Sequence, residues 1–296
     1  MEIINGNKLA EEIKSELRTK VQQATASGKR PPHLAAVLIG ENPASRSYVT
    51  NKVKSCEEIG YKSTLIQRPS ELSQQAVLEI VHQLNEDPEV DGFIVQLPLP
   101  EHMIEMDITL AISPEKDVDG FHPMNLGLMT LGLPAYLPAT PMGILQMLER
   151  YHIDVSGKRC CVMGRSNIVG TPISILLSRK AKPGDATVIM CHSRTPDIKK
   201  IALESDILIV ALGRPLFVTA DMVKEGAVVI DVGINRIPDP SKKSGFRLAG
   251  DVDFDQVAPK CSFITPVPGG VGPMTVTSLL LNTWKAYTGE IYPKKL

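Results

Sequence analysis

A short loop bounded by glycines is the part of this chain best suited to hold a charged ligand. The strand-like run RCCVM (Arg159–Met163) leads into GRSNIVG (Gly164–Gly170), and a helical pattern begins near Ile168. Backbone N–H groups at a helix start bind phosphate, and the helix dipole favours the negative charge. The spacing differs from the G-x-G-x-x-G dinucleotide fingerprint, so an ordinary strand-to-helix turn stays open as the alternative.

The turn after the next predicted strand indicates which nucleotide this would be. In NAD sites an acidic residue near this position binds the ribose 2′-hydroxyl, whereas NADP carries a phosphate there. The run ATVIM (Ala186–Met190) is followed by CHSRT, which has no carboxylate, and Arg165 lies in the glycine loop. We therefore predict an NADP site with Arg165, Ser193 and Arg194 at the 2′-phosphate. Solvated arginines beside a plain turn are the alternative.

A second group of polar residues lies on one predicted helix, which begins at Asn42 and Pro43 and ends before Gly60. Ser45, Tyr48 and Lys52 follow one another at i, i+3 and i+7, beside the apolar stripe of that helix. Partial burial disfavours the ammonium form of a lysine and suits it to acid–base chemistry, and a tyrosine can stack on a flat ring. An amphipathic helix with a snorkelling lysine explains the same spacing.

Another polar residue, Gln96, ends the apolar strand in FIVQLPLP (Phe93–Pro100). Ligands of open α/β sheets bind at the carboxyl edge of the strands, and Pro98 cannot continue the hydrogen-bond ladder. We predict that Gln96 meets Lys52. A glutamine satisfied by backbone groups is the more common arrangement at a strand end.

Two acidic segments, EKDVDG (Glu115–Gly120) and GDVDFD (Gly250–Asp255), resemble metal loops, but the spacing excludes a calcium site. Counted from Asp251, position six is Gln256 and position twelve is Ser262, where Gly and Glu are required. The six histidines show no H-x-x-x-H spacing, so no metal site is predicted. Asp117 and Asp119 are instead candidates to accept hydrogen bonds from a ligand, with a solvated turn as the alternative.

The length and composition favour a protein of two domains without nucleic-acid or membrane partners. The 296 residues include 32 Lys plus Arg and 33 Asp plus Glu, without long blocks of either sign. The five cysteines form no C-x-x-C pair, which indicates a reduced protein and predicts a cytoplasmic location. The N-terminus shows neither an export signal nor a membrane-spanning run.

Alternating helical and strand patterns divide the chain into two blocks with mainly parallel sheets. The first block has predicted strands near 35–39, 64–67 and 92–96 and helices near 8–25, 43–59 and 73–85. The second has predicted strands near 159–163, 186–190, 206–211, 227–231 and 262–264, which suits a doubly wound nucleotide domain. The stretch from Gly120 to Pro141, rich in Gly, Pro and Leu, is interpreted as a covered crossover between them.

The motifs together resemble the bifunctional methylenetetrahydrofolate dehydrogenase/methenyltetrahydrofolate cyclohydrolase family. They run in family order through nearly the whole chain: Tyr48-x-x-x-Lys52, VQLPLP, PEKDVDGFHP, PATPMG, GRSNIVGTP, CHSRT, DVGIN and PVPGGVGPMT. The resemblance implies two α/β domains with a cleft between them. The folate domain would comprise residues 1–138 and the returning C-terminal helix in 270–296, and a Rossmann-like NADP domain would comprise 139–269.

The resemblance also implies an activity. Such enzymes oxidise 5,10-methylenetetrahydrofolate with NADP and hydrolyse the methenyl product to 10-formyltetrahydrofolate, and they form homodimers through the NADP domain. Tyr48 is similar to the residue that stacks on the aminobenzoyl ring, Lys52 to the general acid/base and Gln96 to its orienting partner. Asp119 matches the carboxylate that binds the pterin.

The predicted site residues fall into three sets. The catalytic set is Lys52, Gln96, Tyr48 and Asp119. The substrate-binding set is Ser45, Tyr48, Gln96, Leu97, Pro98, Asp119, Pro268, Gly269 and Gly270. The cofactor-binding set is Gly164, Arg165, Ser166, Val169, Gly170, His192, Ser193, Arg194, Ala211, Gly213, Ile234 and Thr275.

Two alternative functions stay open at this point. Another NADP dehydrogenase, acting on a small hydroxy or oxo acid, would not need the group of Tyr48, Lys52 and Gln96. A non-catalytic NADP module that senses redox state would not constrain the substrate-side residues. One local difference from the family pattern is an insertion at Lys182–Asp185, next to the second cofactor strand.

Overall fold

A computed structural model describes residues 1–242 and 245–293. The chain divides into two compact units. The six-stranded unit comprises Met1–Ala10 and Thr140–Thr275, and the three-stranded unit comprises Glu11–Ala139 and the chain from Val276 onward. Each unit is built around a parallel sheet, so the predicted α/β fold class is confirmed.

The helices and strands in chain order are β1 (Glu2–Ile3), α1 (Gly6–Ala26), β2 (His33–Ile39), α2 (Pro43–Ile59), β3 (Lys62–Arg68), α3 (Gln74–Glu86), β4 (Gly92–Val95), α4 (Glu105–Ala111), α5 (Pro123–Thr130), α6 (Ala139–Arg150), β5 (Arg159–Met163), α7 (Gly170–Ser178), β6 (Thr187–Cys191), α8 (Ile198–Leu203), β7 (Ile207–Val210), β8 (Val228–Asp231), β9 (Asn235–Pro238), β10 (Phe246–Ala249), α9 (Phe254–Val257), β11 (Phe263–Ile264) and α10 (Val271–Thr288).

The six-stranded sheet has the order β1-β11-β8-β7-β5-β6, and every described pairing in it is parallel. When only the strands of this sheet from β5 onward are numbered, β6, β5, β7, β8 and β11 follow the order 2-1-3-4-5 of doubly wound folds. In that order a ligand crevice opens between the carboxyl ends of the first and third strands. Here those strands are β5 and β7, so the glycine loop after β5 lies at the switch point. The predicted Rossmann-like architecture is confirmed.

The three-stranded sheet has the order β3-β2-β4 with parallel pairing. All seven residues of β2 are buried, as expected for a central strand whose sequence, HLAAVLI, is almost continuously apolar. Helix α3 begins after Ser73, whose hydroxyl accepts the N–H of Ala76, and it buries Val77, Val81 and Leu84 on the sheet. Just beyond β4, the N–H of Gln96 donates to the Val37 carbonyl of β2 at 2.9 Å, which places Gln96 at the carboxyl edge of this sheet.

The residues near both ends of the chain are divided between the two units at other positions than the predicted domain ranges. Residues 1–10 belong to the six-stranded unit, because β1 pairs with β11 through Glu2↔Phe263 and Ile3↔Ile264. A two-residue strand has no periodicity that a sequence pattern could show. Residues 270–275 likewise lie in the six-stranded unit, and the last three residues of the predicted range fall outside the described part of the chain.

The C-terminal helix returns to the three-stranded unit from Val276 onward, as predicted. Leu279, Leu280 and Thr283 on its predicted stripe are buried, and the carbonyl of Leu280 accepts a hydrogen bond from the Tyr61 hydroxyl at 3.1 Å. Within residues 1–242 and 245–293, no helix combines the length and apolar character needed to cross a lipid bilayer.

Candidate active site

Helix α2 carries Ser45, Tyr48 and Lys52 over the predicted range Pro43–Ile59. Its start is fixed by Asn42, whose side-chain oxygen accepts the N–H of Ser45 at 3.2 Å, and Pro43 occupies the first helical position. Ser45 is buried and Tyr48 is half-buried. Burial raises the pKa of the Tyr48 hydroxyl above its ordinary value, so this side chain stays neutral and retains an aromatic face.

Lys52 and Gln96 meet, as the sequence predicted. The Lys52 ammonium donates to the Gln96 side-chain oxygen at 3.2 Å, while the Gln96 amide donates to the Leu97 carbonyl at 2.7 Å. Lys52 is only 7% exposed. The Lys52 ammonium is thus held in place by a neutral amide, and lysine is one of the side chains that can act in general acid–base catalysis.

A recess lies beside this pair at the carboxyl edge of β4. It is lined by Leu97, Asp117, Asp119 and Phe121 together with residues of β4 and α4, among them the polar Glu105 and Thr109. Leu97 thus connects the Lys52–Gln96 pair with the recess that contains Asp119. An apolar hollow with a few convergent polar groups is the usual form of a small-molecule site.

The two aspartates of this recess differ in surroundings. Asp117 is buried and accepts the N–H groups of Phe121 and His122 and the side-chain amide of Asn125, at 3.2, 2.8 and 2.9 Å. Burial raises the pKa of Asp117 to about 7, against these hydrogen bonds, and the neighbouring charge of Asp119 adds to the rise. Asp119 is partly exposed. Asp117 therefore holds the turn, whereas the carboxylate of Asp119 is partly accessible to solvent.

Helix α10 also holds this turn, through a residue that the sequence did not single out. The amide of Asn282 donates to the carbonyls of Val118 and Leu137 at 2.8 and 2.9 Å. Asn282 is buried, and no motif marked it because its partners lie more than 140 positions away in the sequence. Only the tertiary fold brings them together.

Asn282→Leu is expected to lower the free energy of unfolding by about 2–4 kcal/mol, because the buried Val118 carbonyl and the partly buried Leu137 carbonyl lose their donor. Urea denaturation measures this change. Thr288→Ala, at an exposed position of the same helix, is the control and should change stability by less than about 0.5 kcal/mol. An Asn282→Leu protein as stable as the control would contradict the role given to this amide.

In the six-stranded unit, Gly164 and Gly170 at the two ends of the loop must be glycines, because backbone atoms of other residues lie where their side chains would be. Gly164 has φ +124°, and a Cβ there would lie 2.3 Å from the Ala211 carbonyl oxygen. A Cβ on Gly170 would lie 2.2 Å from the Gly164 carbonyl oxygen. The Ser166 hydroxyl accepts the N–H groups of Val169 and Gly170 at 3.2 and 3.4 Å. Helix α7 begins at Gly170, two residues after the predicted start, because this hydroxyl holds the preceding residues in a loop.

The CHSRT turn after β6 is ordered by its own polar groups. The His192 Nδ1 accepts the N–H of Arg194 at 3.1 Å, and the Thr195 hydroxyl accepts the N–H of His192 at 2.9 Å. Ser193 and Arg194 are exposed, as is Arg165 in the glycine loop. The N–H of Gly164 donates to the Cys191 carbonyl at 2.9 Å, so the two turns lie side by side.

The remaining predicted cofactor residues follow neighbouring strands of the same sheet. Ala211 comes directly after β7 and donates its N–H to the Met163 carbonyl at 2.8 Å, and Gly213 follows with φ +64°. Ile234 lies in the turn after β8 and is exposed. All three therefore lie at the carboxyl edge that also holds the glycine loop. Thr275 bonds the Thr140 hydroxyl at 3.0 Å within the same unit.

The predicted substrate loop Pro268–Gly270 belongs to the six-stranded unit and packs on the N-terminal segment. The Gly269 carbonyl accepts the N–H of Asn7 at 3.2 Å, and a Cβ on Gly6 would lie 1.8 Å from the Gly270 carbonyl oxygen. The sequence did not predict this contact. A glycine near the N-terminus, Gly6, was its only signal.

The family models of two protein domains match this chain. Residues 4–119 match the tetrahydrofolate dehydrogenase/cyclohydrolase catalytic domain, and residues 138–291 match the tetrahydrofolate dehydrogenase/cyclohydrolase NAD(P)-binding domain. The chain belongs to this family. The resemblance stated from the motifs is therefore confirmed, as is the prediction of a dehydrogenase/cyclohydrolase with a nicotinamide dinucleotide domain.

Relatives of this family align with nearly the whole chain. The bifunctional protein FolD of Cytophaga hutchinsonii is 60% identical over 286 residues, which cover 97% of this chain and 99% of the relative. The bifunctional FolD of Campylobacter jejuni has a crystal structure with a TM-score of 0.91, 44% identity and coverage of 98% and 99%. The Trypanosoma brucei FolD, solved with NADP and an inhibitor, has a TM-score of 0.92, 37% identity and coverage of 98% of each chain.

Proposed function

We propose that this family member oxidises 5,10-methylenetetrahydrofolate with NADP and then hydrolyses 5,10-methenyltetrahydrofolate to 10-formyltetrahydrofolate. The observation that carries the proposal is the buried Lys52 ammonium on the Gln96 amide oxygen, in the part of the chain that matches the catalytic domain. Neither a small-acid dehydrogenase nor a redox-sensing module requires that pair.

The first step needs alignment more than it needs a base. Loss of hydride from a carbon between two nitrogens leaves a delocalised cation, so no strong base has to remove a proton. NADP supplies the hydride acceptor when bound. The glycine loop leads directly into the start of α7, a place where phosphates commonly bind, and Gly164 and Gly170 permit its tight internal backbone packing. Arg165, Ser193 and Arg194 are exposed donors suited to the 2′-phosphate.

The second step requires proton transfer. Water adds to the cationic carbon and gives up a proton, and a ring nitrogen leaves as it gains one. In the proposal Lys52 carries these protons as general acid/base, and the Gln96 oxygen holds its ammonium in place. Tyr48 stacks on the aminobenzoyl ring, and Asp119 accepts hydrogen bonds from N–H groups of the pterin.

The remaining substrate contacts are proposed on the family resemblance. They are Ser45, Leu97, Pro98 and the loop Pro268–Gly270. We further propose a homodimer formed through the NADP domain, which sedimentation equilibrium of the purified protein would test. A reducing compartment, the cytoplasm, agrees with five free cysteines that are all buried.

Gly170→Ala is expected to weaken NADP binding by about tenfold or more, because a Cβ at this position forces the loop backbone to move at a cost of about 1–3 kcal/mol. Fluorescence titration with NADPH measures the dissociation constant. Gly127→Ala is the matched control, since the space around that helical glycine is open, and NADPH affinity should not change. Equal affinities in both variants would contradict the phosphate-loop assignment.

The function is tested by supplying 5,10-methylenetetrahydrofolate with NADP or NAD and following the absorbance of reduced nicotinamide and of the methenyl product together. The proposal expects reduction with NADP and little accumulation of methenyl product. No reduction with either cofactor would overturn it. Lasting accumulation of the methenyl product would contradict the hydrolytic step alone.

A further inference from the structure

Two buried carboxylates lie together at the carboxyl edge of the six-stranded sheet. Asp231 ends β8 and Asp251 follows β10, and they are 3% and 0% exposed. The sequence pattern marked Asp251 only as part of a rejected metal loop. Neither residue belongs to the catalytic, substrate-binding or cofactor-binding sets described above.

Asp231 fixes the backbone that carries Asp251. Its Oδ1 accepts the N–H groups of Gly233 and Asp251 at 2.9 and 3.0 Å, and its Oδ2 accepts that of Val252 at 2.9 Å. The backbone N–H of Asp231 donates to the Thr265 hydroxyl at 2.7 Å. One carboxylate thus joins the turn after β8 to the segment after β10.

Asp251 in turn joins two loops that carry proposed cofactor residues. Its Oδ2 accepts the N–H groups of Leu212 and Gly213 at 2.6 and 2.9 Å, in the loop after β7. Its Oδ1 accepts the side-chain amide of Asn235 at 2.9 Å, at the start of β9 and directly after the turn that follows β8. Gly213 and Ile234 lie in these two loops. The Asp251 carboxylate thus bonds directly to the backbone N–H of Gly213, a proposed cofactor residue.

Two neighbouring glycines leave room for the carboxylates of Asp231 and Asp251. A Cβ on Gly250 would lie 1.8 Å from the Asp231 Oδ2, and a Cβ on Gly233 would lie 2.4 Å from the Asp251 Cγ. Burying carboxylates is costly, and burial raises the pKa of Asp231 to about 6. Replacing buried ionic groups with apolar ones is often neutral or stabilising, so stability alone is a weak reason for such a pair. The hydrogen bonds indicate that the pair of carboxylates fixes the positions of the surrounding loops.

We propose that Asp231 and Asp251 are positioning residues that hold the loops 211–213 and 232–235 in the arrangement that binds the nicotinamide dinucleotide. The inference rests on the proposed function, because it assumes that Ala211, Gly213 and Ile234 contact the cofactor. Hydrolysis of methenyltetrahydrofolate needs no nicotinamide, and its proton transfer is assigned to Lys52 of the three-stranded unit. Loss of the carboxylates therefore affects cofactor binding and leaves cyclohydrolase activity intact.

The test compares Asp251→Ala and Asp251→Asn with Asp255→Asn, an exposed acid of the same unit. Titration with NADPH gives the dissociation constant, and hydrolysis of methenyltetrahydrofolate without cofactor gives the cyclohydrolase rate. Asp251→Ala removes the acceptor shared by the N–H groups of Leu212 and Gly213 and the amide of Asn235, and it is expected to raise the NADPH dissociation constant by about 10- to 100-fold. Asp251→Asn keeps an acceptor oxygen and should recover most of the affinity. Cyclohydrolase rates should stay within about twofold of the unmodified protein.

Unchanged NADPH affinity in Asp251→Ala overturns the proposal, and so does a parallel loss of NADPH binding and cyclohydrolase rate. Should Asp251→Ala fail to fold, the milder double variant Asp251→Asn with Asn235→Ala carries the test. This double variant keeps the acceptor for the N–H groups of Leu212 and Gly213 but removes the hydrogen bond to the side chain of residue 235. Unchanged NADPH affinity in the double variant would also overturn the proposal. Failure of the proposed function is distinguishable, because the unmodified protein would then bind NADPH without oxidising methylenetetrahydrofolate.

Discussion

Lys52→Met is expected to lower the cyclohydrolase rate by about 10³-fold, the scale that a positioned general acid/base contributes, and to lower the dehydrogenase rate by less than about tenfold. The two reactions differ in their need for protons. Hydride loss from the methylene carbon requires no proton transfer, whereas hydrolysis requires one for the attacking water and one for the leaving nitrogen. Methionine keeps the length and apolar stem of the lysine, so packing on α2 should be retained.

Lys54→Met is the control for this substitution. Lys54 is exposed on the same helix, and its replacement should leave both rates unchanged. The two rates are measured separately, by NADPH formation from methylenetetrahydrofolate and by decay of methenyltetrahydrofolate absorbance without cofactor. Equal loss of both activities in Lys52→Met, with folate affinity intact, would contradict the division of labour between the two steps.

The double substitution Arg165→Ala with Arg194→Ala should raise the KM for NADP about 100-fold and leave the KM for NAD nearly unchanged. Both guanidiniums are exposed donors, at the glycine loop and the CHSRT turn, and NAD lacks the phosphate that they would bind. A hydrogen bond to a charged group contributes about 1.5–3 kcal/mol, so losing two at an exposed site amounts to about 3 kcal/mol.

Arg247→Ala is the matched control, since this arginine is exposed on β10 of the same unit. The KM values come from initial dehydrogenase rates with each nucleotide. Cyclohydrolase rates, measured without nucleotide, should be the same in both proteins. A double variant that loses NADP and NAD equally would show that the arginines support the fold of the turn and do not select the phosphate.

The sequence predicted most accurately those elements whose signals are local. Helix α2 has the predicted bounds because Asn42, Pro43 and Gly60 mark its ends within the chain itself. Strand β5 also has its predicted bounds, since an apolar run between Arg159 and Gly164 leaves little choice. Helix α5, with Pro123 at its first turn, was missed inside a stretch rich in Gly, Pro and Leu, whose composition is typical of a loop.

In the candidate site, too, the contacts with local sequence signals were predictable and the others were not. The Lys52–Gln96 contact was predictable, because a helix face and a strand's carboxyl end each have a recognisable pattern. Asn282 and Asp251 were not, since each acts on backbone groups that are distant in sequence. A hydrogen bond from a side chain to a distant carbonyl or N–H leaves no periodicity and depends on the complete fold.

The central claim is that one folate site, containing Lys52, serves both reactions. It is tested most directly by inhibiting each reaction of the unmodified protein with 5,10-dideazatetrahydrofolate, an analogue that cannot form the bridge between positions 5 and 10. Competition with methylenetetrahydrofolate in the dehydrogenase assay and with methenyltetrahydrofolate in the hydrolysis assay should give the same inhibition constant within about twofold. Inhibition of one reaction only, or constants that differ more than tenfold, would contradict a shared site.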